Sequence, residues 1–125
     1  GIIFCPSNPY LSIDPILSIN RIRKLIENQK KPRIAISPIV GHDSVKGPTS
    51  KLMKEMGVEV SSLSIAKHYK GLIDGIIIDH EDEKEAQKII EMGIEVKLSK
   101  IVVETEEEKM RLAKESLEFI KEIGS

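Results

Sequence analysis

Four short apolar runs recur along the chain, and each is rich in β-branched residues. They read IIFC at 2–5, RIAIS at 33–37, GIIID at 75–79 and EVKLS at 95–99. A strand that is covered on both faces gives a nearly continuous apolar run, whereas a strand with one solvated face alternates. The pattern therefore predicts four strands of a parallel sheet that is buried between two layers.

Between these runs, apolar residues recur at helical spacing and helix-ending residues stand at the expected places. The segment 48–57 has Pro48 in its first turn and Gly57 after its end. A short helix is predicted over 62–70, and a further one ends at Gly93. These segments lie between the predicted strands, so strands and helical segments alternate along the chain.

The first and last helices carry capping signals. Asn20 is predicted to cap a helix over 20–29. Thr105 and Glu108 have the spacing of a capping box at the start of the last helix. The predicted buried face of that last helix consists of Met110, Ala113, Leu117 and Ile120.

The fourfold alternation of strand and helix predicts the fold class. It indicates an α/β fold with an open, mainly parallel sheet, helices on both faces and three layers, in the Rossmann-like manner. The 125 residues are enough for a single domain over 1–125. Because the chain starts on a predicted strand without a methionine, we expect it to be a piece of a longer protein.

Composition narrows the class of partner. A net charge of −1 supplies no general attraction for nucleic acid or a membrane surface, so neither is expected as a partner. No apolar run approaches the roughly 18 residues of a membrane span. The single cysteine, Cys5, is typical of a reducing compartment and predicts a cytoplasmic protein; within the fold we expect it in the core.

Ligands of open parallel sheets bind beyond the carboxyl ends of the strands, which directs attention to the segment after the first strand. This first loop, residues 6–15, reads PSNPYLSIDP and offers the short polar groups of Ser7, Asn8 and Ser12. Ser12 is predicted to cap a helix that starts near Ile13, and a helix start favours anions. The alternative is a proline-rich turn with an ordinary serine cap.

The second loop, residues 38–48, follows the second strand and reads PIVGHDSVKGP. Gly41 and Gly47 permit a close backbone approach to a ligand, and Lys46 stands beside the start of the next helix, where it can pair with a phosphate. No Ser or Thr follows Lys46, so the segment is not a GxxxxGK[ST] phosphate loop. The alternative is a long surface loop.

Two further groups carry less specific signals. His68 has no evident partner in the sequence, so a substrate contact and a structural role both stay open. Asp79 is predicted to cap the helix after the third strand, and the acids at 81–83 to form its solvated first turn. No nucleophile, acid–base pair or metal-ligand spacing is visible, so catalytic and metal-binding residues stay unassigned.

Three segments, taken in order, resemble one known family. PSNPYLSIDPIL at 6–17, SPIVGHDSVKGP at 37–48 and AKHYKGLIDGIIID at 66–79 are similar to the C-terminal half of the 2-phospho-L-lactate transferase family. RLAKESLEFIKEI at 111–123 resembles the family's C-terminus. The family usually has glycine at the positions of Cys5 and His42, so the contacts made there are open.

The resemblance implies a function in coenzyme F420 biosynthesis in archaea. Such enzymes transfer a 2-phospholactyl group, or a related phosphoenolpyruvyl group, from a GDP-activated donor to the deazariboflavin Fo and release GMP. Magnesium is the implied cofactor, and the catalytic residues are expected in the N-terminal half, so this portion alone is expected to be inactive.

The resemblance, together with the position of each residue, predicts the contacts to substrate. Ser7, Asn8 and Ser12 are expected to face the donor's phosphates or guanosine. Lys46 and the backbone of Gly47 are expected to meet the diphosphate or the lactyl carboxylate, and His68 to be a substrate or supporting group. A homo-oligomer is also expected.

Two other classes of function stay open at this point. One is a nucleotide-sugar-binding regulatory protein of the related gluconeogenesis-factor-like family, which binds a diphosphate ligand without transfer. The other is a structural or interaction domain without a ligand.

Overall fold

The computed structural model describes residues 1–125, and its centre is a four-stranded parallel sheet. The strands are β1 (Ile2–Phe4), β2 (Arg33–Ile36), β5 (Gly75–Asp79) and β6 (Glu95–Ser99), in the order β1-β2-β5-β6. All four predicted strands are therefore confirmed. A separate antiparallel hairpin, β3 (Ile39–Val40) with β4 (Asp43–Ser44), lies inside the second loop.

The chain has six α-helices, one π-helical turn over Pro9–Ile13 and one 3-10 turn over His80–Glu85; the last helix follows the last strand. The helices are α1 (Asp14–Leu17), α2 (Asn20–Glu27), α3 (Thr49–Glu55), α4 (Ser62–His68), α5 (Ala86–Glu91) and α6 (Glu106–Gly124). None of them is long and apolar enough to cross a membrane.

Alternate residues of the central strands enter two separate cores, because successive side chains of a strand point to opposite faces. Ala35 and Ile76 belong to a core shared with helices α1, α3, α4 and α5. Ile34 and Ile77 belong to a smaller core on the other face, which α6 covers. The predicted three-layer α/β fold with helices on both faces is confirmed.

Helix α6 packs with a different face from the predicted one. Leu112, Ser116 and Phe119 are buried, whereas Met110 is 70% and Leu117 is 56% exposed. Ala113 is also exposed and Ile120 is half-buried. The predicted face was wrong because both faces of α6 carry apolar residues, and the sheet selects between them by shape.

Gly75 at the start of β5 makes that selection. A Cβ atom at this position would lie 2.6 Å from Cδ1 of Ile123 and 2.8 Å from the ring of Phe119. The absent side chain leaves the space into which α6 inserts these two residues. The buried face of α6 thus fits a space left by a residue more than thirty positions earlier in the chain.

The predicted caps are partly confirmed. Thr105 Oγ1 accepts from the Glu108 amide at 3.1 Å, but the Glu108 carboxylate accepts from the Glu104 amide instead of closing the box on Thr105. Asn20 as a cap was wrong: it is the first residue of α2, and the cap residue Ile19 has no side-chain bond to offer.

Candidate functional site

The two polar loops leave the sheet at the same edge. Strands β1 and β2 are parallel neighbours, with Phe4 opposite Ala35. The two loops therefore begin side by side, at the carboxyl ends of these strands. This is the position at which open parallel sheets bind their ligands. The residues of each loop are described in turn.

In the first loop the cap is Asn8, not Ser12. Oδ1 of Asn8 accepts from the amides of Tyr10 at 2.9 Å and Leu11 at 3.1 Å, and this starts the π-helical turn. Ser12 is exposed near the end of that turn, where it is too late to cap. The predicted Ser12 cap was wrong because the helical turn begins four residues earlier than the apolar pattern indicates.

The first loop carries two polar residues near its start, Ser7 and Asn8. Ser7 is half-buried in a tight turn in which its amide donates to the Cys5 carbonyl at 2.7 Å. Nδ2 of Asn8 is buried and has no partner within the chain. Cys5 is exposed, so its predicted place in the core was wrong. The loop already turns outward at Cys5, one residue past the last strand position.

The second loop is an ordered hairpin and not an irregular connector. Val40 pairs with Asp43 around a two-residue turn of Gly41 and His42. Gly41 has φ of 62°, and no residue other than glycine has positive φ, which is the pattern of a type II′ hairpin turn. Gly followed by a second turn residue between Ile39-Val40 and Asp43-Ser44 was the signal in the sequence that indicated this hairpin.

His42 occupies the turn position that does not need glycine. Its backbone is conventional, and its Nδ1 lies 3.0 Å from the carbonyl oxygen of Val60, so the ring ties the turn to the segment before α4. The departure from the family's usual glycine therefore costs no backbone strain at this site.

Lys46 and Gly47 stand at the exposed tip between the hairpin and α3. Lys46 takes part in no ion pair, and Gly47 has φ of 77°, which other residues rarely adopt. The base of the tip is fixed by Ser50, whose amide donates to Ser44 Oγ at 2.6 Å and whose hydroxyl donates to Asp43 Oδ1 at 3.0 Å.

His68 lies apart from Lys46, at the end of α4. This helix starts beside Ser37 at the end of β2 and runs back along the sheet for seven residues, about 10 Å. Nε2 of His68 lies 2.8 Å from Oδ1 of Asp14, and its ring packs edge-on against Tyr10. The partner that the sequence did not reveal is 54 residues away. His68 joins the first loop to α4.

The largest cavity is a groove of about 550 Å³ that lies beside His68 and Asp14. Its lining residues are Tyr10, Asp14, Met56, Val58, Ser64, Lys67 and His68. Lys46, Gly47 and Ser7 line none of the four cavities in the structure. The two loops therefore form an open edge and not a closed pocket.

The turn after β5 contains functional candidates that the sequence pattern concealed. Asp79 caps it as predicted, accepting from the Glu81 amide at 3.1 Å. Asp82 is only 5% exposed, so its predicted place in a solvated first turn was wrong. Burial raises the pKa of Asp82 and of Glu85, whose carboxyl groups lie together. A run of acids gives no sequence signal for the member that turns inward.

The acidic residues of the turn after β5 do not fit a magnesium site. No group of three or more His, Cys, Asp or Glu side chains in the structure is arranged to hold a metal ion. The carboxylates of Asp82 and Glu85 are instead occupied by backbone amides, of Gly41 and Leu63 respectively.

Comparison with known proteins identifies the family. A family model described as 2-phospho-L-lactate transferase CofD matches residues 1–121. The 2-phospho-L-lactate transferase of Methanocaldococcus jannaschii is 42% identical over 118 residues, which are 94% of this chain and 36% of that protein. That of Methanopyrus kandleri is 35% identical over 125 residues, 98% of this chain and 38% of that protein.

A relative with a different name is similar over the same span. The phosphoenolpyruvate transferase of Streptomyces griseus is 32% identical over 123 residues, 98% of this chain and 39% of that protein. The chain thus spans little more than a third of the length of the curated relatives it matches.

The sheet order and the paired loops define an open, mainly parallel α/β protein with two loops at one carboxyl edge, where such sheets bind their ligands. Because the family model covers nearly every residue, the chain belongs to the 2-phospho-L-lactate transferase family.

Proposed function

We propose that this chain is part of a transferase of coenzyme F420 biosynthesis. The enzyme moves a 2-phospholactyl or phosphoenolpyruvyl group from a GDP-activated donor to the deazariboflavin Fo and releases GMP. The observation that carries the proposal is the adjoining position of the two loops, with the unpaired ammonium of Lys46 on one and the polar turn at Ser7 on the other.

The reaction is an attack by an alcohol on phosphorus. The hydroxyl oxygen of the acceptor forms a bond to the phosphorus of the phospholactyl group and gives up its proton to a base or to water. The bond from that phosphorus to the oxygen of GMP breaks, and GMP carries away the electron pair. Such reactions depend on positioning and on neutralising the phosphate oxygens. The ammonium of Lys46 and the backbone amide of Gly47, both at the exposed tip of the second loop, are groups that can neutralise phosphate oxygens.

The residues divide the work in the following way. Lys46 and the Gly47 amide contact the diphosphate or the lactyl carboxylate, and the hydroxyls of Ser7 and Ser12 contact the donor's phosphates or guanosine. Asn8 shapes the first loop through its cap, and His68 holds that loop to α4.

The remaining parts of the machinery lie outside these residues in this proposal. The magnesium ligands and the groups that activate the acceptor belong to the portion of the relatives that this chain does not span. Residues 1–125 alone are therefore expected to catalyse no transfer. We place the activity in the cytoplasm. Assembly into a homo-oligomer stays a prediction, which sedimentation of the full-length protein tests.

The test is a transfer assay with the full-length protein. It is mixed with the GDP-activated donor, Fo and magnesium, and the release of GMP and the phosphorylated deazaflavin product are followed by chromatography. Equal amounts of both products are expected. Absence of GMP release, together with tighter binding of UDP-sugars than of GDP, would overturn the proposal in favour of a regulatory nucleotide-sugar-binding protein.

A further inference from the structure

One buried carboxylate holds the backbone of the turn in the second loop, beside the bond from the His42 ring to the Val60 carbonyl. The amide of Gly41, at the turn of the hairpin, donates to both oxygens of Asp82, at 3.0 Å to Oδ1 and 3.1 Å to Oδ2. The two residues are 41 positions apart, and Asp82 is 5% exposed. Bonds from a backbone amide to a buried carboxylate are among the stronger hydrogen bonds in proteins.

Asp82 is itself set in place by its neighbours in the turn after β5. Asp79 anchors the start of the turn, because its Oδ2 accepts from the Glu81 amide and its Oδ1 accepts from the Ile101 amide, both at 3.1 Å. Glu85 anchors the end, because its Oε1 accepts from the Leu63 amide at the start of α4, at 2.7 Å. The turn over His80–Glu85 thus joins three separate segments at the carboxyl edge of the sheet.

The hairpin transmits the position of its turn to the exposed tip. It has only two residues in each strand, and the strand that leaves the turn ends at Ser44, two residues before Lys46. The other end of the hairpin is fixed by Ser62, whose hydroxyl donates to the Ile39 carbonyl at 3.2 Å. A hairpin of this length is not stable alone, so its place depends on such external contacts.

We propose that Asp82 is a positioning residue for the donor: its carboxylate fixes the Gly41 turn and thereby the place of Lys46 and Gly47 against the donor's phosphates. The inference rests on the proposed function of the second loop. It assigns to Asp82 no contact with substrate and no part in proton transfer.

The test compares three variants of the full-length protein. Asp82→Ala removes the acceptor, Asp82→Asn keeps one oxygen that accepts from the Gly41 amide, and Glu83→Ala is the matched control. Glu83 is an exposed acid in the same turn whose side chain makes no ion pair. The KM for the donor and kcat are measured for each.

Loss of one bond between an amide and a carboxylate predicts an increase of about tenfold in the donor KM of Asp82→Ala, with a smaller change in kcat. Asp82→Asn should restore most of the affinity, and Glu83→Ala should match the wild type. A donor KM of Asp82→Ala within twofold of the wild type, or equal defects in Asp82→Ala and Asp82→Asn, would overturn the proposal.

Hydrogen exchange separates this inference from the proposed function. In Asp82→Ala, the amides of residues 39–46 should exchange faster, while those of β5 keep their protection. Unchanged exchange at 39–46 would sink the positioning role even if the enzyme transfers the group. If the amides of residues 39–46 exchange faster in Asp82→Ala but the full-length wild type shows no transferase activity, Asp82 still holds the hairpin. Only its role in donor binding is then rejected.

Discussion

The Nε2 atom of His68 lies 2.8 Å from Oδ1 of Asp14, and this pair joins the first loop to the end of α4. The side chains are 24% and 40% exposed, so solvent screens the interaction. The His68 ring also packs against Tyr10 and Tyr69, at centroid distances of 4.8 and 5.4 Å. The pair therefore combines a polar bond with aromatic packing at one point of the fold.

From this arrangement we expect His68→Ala to destabilise the protein more than Asp14→Ala, because only the histidine also loses ring contacts. A double-mutant cycle measured by urea unfolding should give a coupling of roughly 0.5–1 kcal/mol between the two residues. The exposed pair of Arg23 and Glu27, at 2.9 Å, is the matched control and should couple by about 0.3–0.5 kcal/mol. A coupling of zero at His68 would show that packing alone holds the loop.

The elements that the sequence predicts well are those whose signal is local. The β-branched runs identified all four strands of the sheet, because a strand that is covered on both faces must be apolar throughout. The turn capped by Asp79 and the helix end at Gly93 were also found, since capping depends on residues only a few positions apart.

The features that the sequence missed depend on distant partners. Asp82 is distinguished from the neighbouring acids by its contact with Gly41, and the buried face of α6 fits the space that Gly75 leaves without a side chain. The hairpin at Gly41 was missed although its signal was local, because two-residue strands are too short to show alternation. For the site, position at the sheet edge was predictable, whereas the bonds that hold it were not.

Gly75→Ala should destabilise the protein by roughly 1–3 kcal/mol, the usual cost of overpacking a core. The added Cβ would meet Ile123 and Phe119 at 2.6 and 2.8 Å, so α6 must shift away from the sheet. Thermal unfolding measures the effect. The double variant Gly75→Ala with Phe119→Leu should be more stable than the sum of its single variants predicts; strict additivity would show that Gly75 is not kept for the ring of Phe119.

The pair of the buried Asp82 and the half-buried Glu85 predicts a particular dependence of stability on pH. Burial raises the pKa of both carboxyl groups, and the bonds from the Gly41 amide to Asp82 and from the Leu63 amide to Glu85 only partly oppose it. The folded protein therefore binds protons more tightly here than the unfolded chain does. The stabilising contribution is complete below the unfolded carboxyl pKa, at about pH 4, and is lost as the pH rises through the folded pKa values.

Glu85→Gln tests this dependence, because glutamine keeps an oxygen for the Leu63 amide but cannot titrate. Between about pH 4 and neutrality, the free energy of unfolding of the wild type should fall relative to that of Glu85→Gln. Glu83→Gln, in the exposed control position, should run parallel to the wild type. Parallel curves for Glu85→Gln and the wild type would contradict the raised pKa of the pair.

Lys46→Ala should weaken binding of the GDP-activated donor about tenfold or more. A hydrogen bond from an ammonium to a phosphate is charge-assisted and therefore stronger than a bond between neutral groups. The fold should be unaffected, since Lys46 is exposed and takes part in no ion pair. Lys51→Ala, an exposed lysine on the next helix, controls for the loss of one positive charge. Calorimetry with the full-length protein gives both affinities, and thermal unfolding gives both stabilities. If Lys46→Ala binds the donor as tightly as Lys51→Ala does, Lys46 is only a surface charge and the second loop holds the donor through its backbone alone.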